Sequence, residues 1–179
     1  LGCSEVMSAY LDRIEKYNPR INAIISMRSR EELIKEAKLL ENKEPTGWLH
    51  GIPIAIKDLA ETKGLKTTWG SPIFKEHIPN FDCIVSQRIK NAGAIVIGKT
   101  NTPEFGFGSH SYNPVHGVTR NPYDLTKTAG GSSGGAAAAL AARLLPIADG
   151  SDMMGSLRNP GAYNNVYGFR PSWGLVPND

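Results

Sequence analysis

Two adjacent serines, Ser132 and Ser133, lie between paired glycines in GGSSGG (residues 130–135), and two lysines, Lys57 and Lys99, close the short apolar runs IPIAIK and IVIGK. A serine hydroxyl is a weak nucleophile until a base takes its proton. All four histidines, His50, His77, His110 and His116, precede the serines. A lysine can serve as the base if burial brings its amine from about 10.4 to near 7, which costs about 4 kcal/mol and is within the reach of desolvation. Either lysine also reads as a strand-end side chain whose amine reaches water, and spacing does not separate the two. A second serine-bearing loop, DGSDMMGSLRNPG (residues 149–161), combines small residues, aspartates and closely spaced amides. Successive N–H groups in such a loop can converge on an oxyanion, although a purely structural loop has the same composition.

Three other readings of GGSSGG meet their own requirements less well. A linker would lead into a change of composition, whereas these glycines run into AAAALAARLL, a strong helix former. A phosphate-binding loop needs a Gly-Lys-Ser/Thr ending, which does not follow Gly134. The nucleophile elbow G-x-S-x-G matches at both Ser132 and Ser133, but it needs a strand just before it and a histidine after it. NPYDLTKTA is a poor strand, and no histidine follows in these 179 residues.

The elements that must position these groups alternate between helix and strand. EVMSAYLDRIEKY (5–17) sets Val6, Tyr10, Leu11 and Ile14 at helical spacing, with Asn18-Pro19 as the stop. Ser29 with Glu32 forms a capping box for a second helix through Leu33, Ile34, Ala37 and Leu40. GIPIAIKD (51–58) and AIVIGK (94–99) read as buried strands, with a third helix between them from an Asp82 cap to Asn91 and a stop at Gly93. The alanine helix is followed by PIADG as a short strand-like exit. This order predicts an α/β fold with a parallel or mixed sheet.

Composition excludes several classes. The chain is 40% hydrophobic and 21% charged, with a net charge of +3 from 20 basic and 17 acidic residues and no basic run or face. That is an ordinary globular balance without the footprint of nucleic-acid binding. Cys3 and Cys83 have no metal or CxxC spacing and read as reduced thiols in cytoplasm. No apolar run is long enough to span a membrane. Leu1 in place of Met, and a final GFRPSWGLVPND that ends as a loop, predict a fragment of a longer chain.

GIPIAIKD, GAIVIGKTNTPEF, RNPYDLTKTAGGSSGGAAAALAA and DGSDMMGSLRNPG with GFRPSWGLVP, in this order, resemble the amidase signature family over nearly the whole chain. The resemblance implies that residues 1–179 are the N-terminal part of a single amidase domain, an α/β fold with a mixed central sheet flanked by helices. It implies a serine–serine–lysine triad: Lys57 as base, Ser132 as the bridging serine after a cis peptide, and Ser156 as nucleophile, with no catalytic role for Lys99. The amides of Met153, Met154, Gly155 and Ser156 would then form the oxyanion hole, with Ser133, Ser151, Asp152 and Arg158 in support. No metal or other cofactor is implied. The implied reaction cleaves a small-molecule amide through an acyl-serine intermediate, without nucleic acid or membrane as direct partner, and with a homodimer as an open state of assembly. Two alternatives are an amidase-fold subunit of a tRNA-dependent amidotransferase, which releases ammonia from glutamine, and an inactive structural fragment. NTPEFGFGSHSYNP and the two loop methionines look less like that subunit than like stand-alone amidases. The family's usual threonine and glycine are here Ser151 and Met154, and the loss of a glycine bears on the loop conformation and the width of the acyl pocket.

Overall fold

A computed structural model describes residues 1–177 of the chain. Its first helix, α1 (Cys3–Ile21), runs past the expected stop at Pro19. Asn22 ends it in the left-handed region (φ 56°), donating its N–H to the Asn18 carbonyl, while the Asn18 side chain accepts the N–H groups of Ala23 and Ile24 at 3.0 and 2.9 Å. These contacts satisfy the helix end that the Asn-Pro pair was expected to break. The buried stripe is Met7, Leu11, Ile14 and Ile21, so Val6 and Tyr10 lie at its margin. The capping box of α2 (Arg30–Glu41) forms as expected: Glu32 N–H donates to Ser29 Oγ at 3.3 Å and Ser29 N–H to Glu32 Oε2 at 3.1 Å.

The central sheet has the order β1 (Ile24–Ile25), β3 (Ile95–Thr100), β2 (Pro53–Lys57). The β2/β3 pair is parallel and the β1/β3 pair antiparallel, so the sheet is mixed. Helix α3 (Ile84–Asn91) makes the crossover between β2 and β3. Asp82 does not cap it as expected. Cys83 occupies the cap position, while the Asp82 carboxylate accepts the Lys63 N–H at 2.8 Å and pairs with Lys90 at 2.7 Å. A small hairpin, β4 (Tyr112–Asn113) with β5 (Gly117–Val118), stands apart from the sheet.

Helix α4 (Gly134–Ala141) packs on one face of the sheet, where Ala138, Ala139 and Leu144 share a core with Ala55, Ile95, Ile97 and the α1 stripe. It begins two residues inside the glycine motif and stops before Arg143, which takes a positive φ of 55°. Gly135 lets the helix touch the sheet: its N–H donates to the Asn101 carbonyl at 3.1 Å, and a Cβ there would overlap the Asn101 backbone. On the other face Ile54, Ile56 and Val96 pack with Leu65 and Ala94.

Residues 146–150, expected as a strand, are irregular. Pro146 offers no N–H, and the Lys57 N–H on this side of β2 is taken by the Asp149 side chain at 2.7 Å instead of a backbone carbonyl. The last helix, α5 (Arg158–Tyr163), follows the second serine loop. Among the described residues no helix is long and apolar enough to cross a membrane.

Candidate active site

The two candidate lysines part company at the register of the sheet. Lys57 sits opposite Thr100 and Lys99 opposite Ile56, after a register shift between Ile54 and Ala55. Neighbouring residues of a strand point to opposite faces, so the two side chains leave the sheet on opposite sides. Lys57, 1% exposed, turns toward the glycine motif. Its Nζ donates to Ser132 Oγ at 2.7 Å, Ser133 Oγ at 2.9 Å and Ser151 Oγ at 2.9 Å. Lys99, 0% exposed, donates to the Ala60 carbonyl at 2.5 Å and Thr62 Oγ1 at 2.9 Å. Burial lowers both amines from 10.5 to about 8, against the pull of Asp149 and Asp152 on Lys57 and chiefly of Asp58 on Lys99.

The two serines reach Lys57 because the chain folds back sharply before α4. The Gly131–Ser132 peptide is cis, and a Cβ at Gly131 would sit 2.8 Å from the His110 backbone nitrogen. Ser111 anchors the turn, its Oγ donating to the Ser132 carbonyl at 3.1 Å and accepting the Gly134 N–H at 2.9 Å. Both serine side chains are buried.

Hydroxyl protons distinguish the partners of Lys57. Ser133 Oγ donates to the Ser151 carbonyl at 3.3 Å and accepts the Ser151 N–H at the same distance, so its proton is committed. The Ser132 hydroxyl meets no partner but the lysine among the described residues. When the amine is neutral it has two N–H bonds and one lone pair, and Ser132 is the buried hydroxyl free to reverse and donate to that lone pair.

Asp152 organises the second loop. Its buried carboxylate accepts the N–H groups of Gly155 at 2.7 Å, Leu157 at 3.1 Å and Arg158 at 3.3 Å, and pairs with the Arg158 guanidinium at 2.9 and 3.0 Å. Arg158 and these amides hold the acid far below the usual carboxylate range. In this arrangement the Gly155 N–H, expected among the oxyanion donors, donates to the Asp152 carboxylate. The amides of Met153, Met154 and Ser156 have no hydrogen-bond partner among the described residues and remain available. The positive φ of the turn falls on Gly155 (122°), not on Met154, so methionine is accommodated without left-handed strain and its side chain, 86% exposed, projects outward.

Ser156 is brought alongside through its backbone, its carbonyl accepting the Ser133 N–H at 3.1 Å. Its hydroxyl makes no hydrogen bond among the described residues, so the link between Ser132 and Ser156 is adjacency of loops rather than a closed O–H···O bond. Sequence reasoning did not find Asp149, whose only signal was a carboxylate in a loop of small residues. It also did not find the buried group formed by Asp58, Thr68 and His116, in which Thr68 Oγ1 donates to Asp58 at 2.5 Å and lies 3.1 Å from His116 Nε2.

A family model described as Amidase matches residues 5–179. Among curated proteins, a glutamyl-tRNA(Gln) amidotransferase subunit of Saccharolobus solfataricus is 47% identical over 176 residues, covering 98% of this chain and 36% of that protein. The protein of the same description from Thermus thermophilus is 43% identical over 172 residues, covering 96% and 36%. Among solved structures, an amidase superposes with a TM-score of 0.92 at 33% identity, covering 100% of this chain and 42% of its own. A bacterial aryl acylamidase of the amidase signature family gives 0.91 at 36% identity, covering 99% and 38%. The chain thus spans little more than a third of the curated relatives it matches.

Proposed function

The chain belongs to the amidase family, and from that premise we propose that residues 1–179 are the N-terminal part of a single amidase domain, which hydrolyses a carboxylic amide with Lys57, Ser132 and Ser156. The observation that carries the reading is the buried 2.7 Å contact between the Lys57 amine and the Ser132 hydroxyl, with the amine brought down to about 8. At pH 8 about half of such an amine is neutral. Neutral Lys57 takes the proton of Ser132 as Ser132 takes that of Ser156, and Ser156 Oγ attacks the amide carbon. The C–O bond forms as the carbonyl π pair moves to oxygen, where the amides of Met153, Met154 and Ser156 would receive it, each good donor contributing about 3 kcal/mol. As the C–N bond breaks, the proton returns along the same hydroxyl to the leaving nitrogen. Water then hydrolyses the acyl-serine by the same relay. Ser133, Ser151, Asp152 and Arg158 hold the loops in place.

Exposed Tyr167 and Phe169, which flank Gly168 against the Leu157 and Arg158 backbone, support a domain in which further chain covers this face. The two free cysteines are consistent with a cytoplasmic enzyme. A second reading, ammonia release from glutamine within an amidotransferase complex, is favoured by the names of the sequence relatives. The deciding assay follows ammonia release by the full-length protein from aliphatic and aryl amides and from glutamine. Turnover of simple amides by the protein alone, lost in Lys57→Ala, is expected; glutamine turnover only with partner subunits would favour the second reading, and neither activity would refute both.

A further inference from the structure

The Lys57 N–H, at the end of β2, donates to Asp149 Oδ1 at 2.7 Å across 92 residues of chain. The contact ties the strand that carries the amine to the loop that carries Ser151, Asp152 and Ser156. Two carboxylates act on the Lys57 amine, Asp149 first and Asp152 second. The charge of Asp152 is shared with Arg158 at 2.9 Å and Arg170 at 3.8 Å, whereas Asp149 forms no ion pair within 4 Å among the described residues. Lys99, on the other face of the sheet, also acts on Asp149. Lys99 itself is surrounded by Asp58, Asp149, Cys83 and Glu61, and its amine is bound to neutral oxygens.

We propose that Asp149 is a positioning residue for the Lys57–Ser132 pair: through the Lys57 N–H it fixes the end of β2, and through its charge it sets the pH at which the amine can accept a proton. The role of the amine as base rests on the function proposed above; the control of its charge does not. Burial raises the Asp149 carboxyl above its usual range, while the Lys57 N–H and the two lysine amines favour its carboxylate form. An ionised Asp149 therefore stabilises the ammonium form of Lys57, and a neutral residue in its place releases the proton at lower pH.

The test uses the full-length protein with ¹³C-labelled lysine side chains, the Lys57 resonance being assigned by its loss in Lys57→Met. In the wild type the amine, lowered by burial, is expected to titrate near 8. Asp149→Asn keeps an oxygen to accept the Lys57 N–H but removes the charge, and the Lys57 midpoint is expected to fall by about one pH unit. The acidic limb of kcat/KM should fall with it, and Asp149→Glu should restore both toward the wild-type position. A midpoint in Asp149→Asn that is unchanged or higher overturns the proposal. If Asp149→Asn does not fold, the carboxyl resonance of Asp149 is followed in the wild type: it must be ionised throughout the Lys57 transition, and a carboxyl still protonated there overturns the proposal equally. A midpoint that moves in a protein without amidase activity would refute the proposed function and leave this inference standing.

Discussion

Replacing Lys57 by methionine separates what the amine does for catalysis from what it costs the fold. Burial lowers the amine from 10.5 to about 8. Below about 8 both the native and the unfolded chain hold the proton, and the native state carries the whole penalty of a buried ammonium. Between about 8 and 10.5 the native state has released the proton while the unfolded chain keeps it. The unfolded state then binds more protons, so stability rises with pH. Above 10.5 both are neutral and the penalty is gone. At about 1.4 kcal/mol per pH unit, this interval corresponds to roughly 3 kcal/mol. Methionine has no such slope. It also removes the donated hydrogen bonds; Ser133 retains the Ser151 backbone, but Ser132 loses its partner, at about 1–3 kcal/mol. At pH 7 the two effects nearly offset, so the inactive variant should be about as stable as the wild type. By pH 10.5 it should be less stable by roughly 3 kcal/mol relative to that starting point. Lys99 contributes the same slope to both proteins and cancels in the difference. Guanidinium unfolding of both full-length proteins at intervals between these pH values gives the comparison. Stability curves that stay parallel would refute the claim that Lys57 is buried as a high-cost ammonium.

Further outcomes follow from the same geometry. A fluorophosphonate should label Ser156, as read by peptide mapping, with the label lost in Ser156→Ala; label on Ser133 would restore the nucleophile-elbow reading. Lys99→Ala opens a cavity and leaves Asp58 without its leading cation while relieving the cost of a buried ammonium, so its stability deficit in denaturant unfolding should grow between pH 8 and 10.5 while the folded fraction keeps most of its turnover. Gly135→Ala places a methyl group against the Asn101 backbone and, at 2.7 Å, the Ala23 carbonyl, and a thermal melt should show a loss of about 1–3 kcal/mol or more.

Local features were legible in the sequence and non-local ones were not. The capping box at Ser29 is set by residues three apart, and β2 and β3 announce themselves as β-branched apolar runs. The two-residue strand β1 owes its existence to pairing with β3, not to anything in Ile24 and Ile25 themselves. Helix α1 outlasts Asn18-Pro19 because Asn18 and Asn22 satisfy its end, which a proline rule does not register. Of the site, the glycine motif and its meeting with Lys57 were readable from the resemblance. Asp149 was not, because its contact with Lys57 spans most of the chain, and neither was the use of the Gly155 amide by Asp152.

Acidity does not choose between the two lysines, since burial brings both to about 8. Their neighbours do. Lys99 donates to a carbonyl, which has no proton to give, and to Thr62, whose own hydroxyl donates to the Ala60 carbonyl. A neutral Lys99 keeps two N–H bonds for these two acceptors, but no hydroxyl proton is aimed at its lone pair, so it has nothing to relay. Lys57 faces three hydroxyls, and the one most deeply buried beside it with an uncommitted proton is Ser132. A neutral amine there gains a donor in place of the hydrogen bond it gives up. The shift of register between Ile54 and Ala55 delivers one lysine to a hydroxyl with a free proton and the other to acceptors, and so turns two similar strand ends into a candidate base and a structural hydrogen-bond donor.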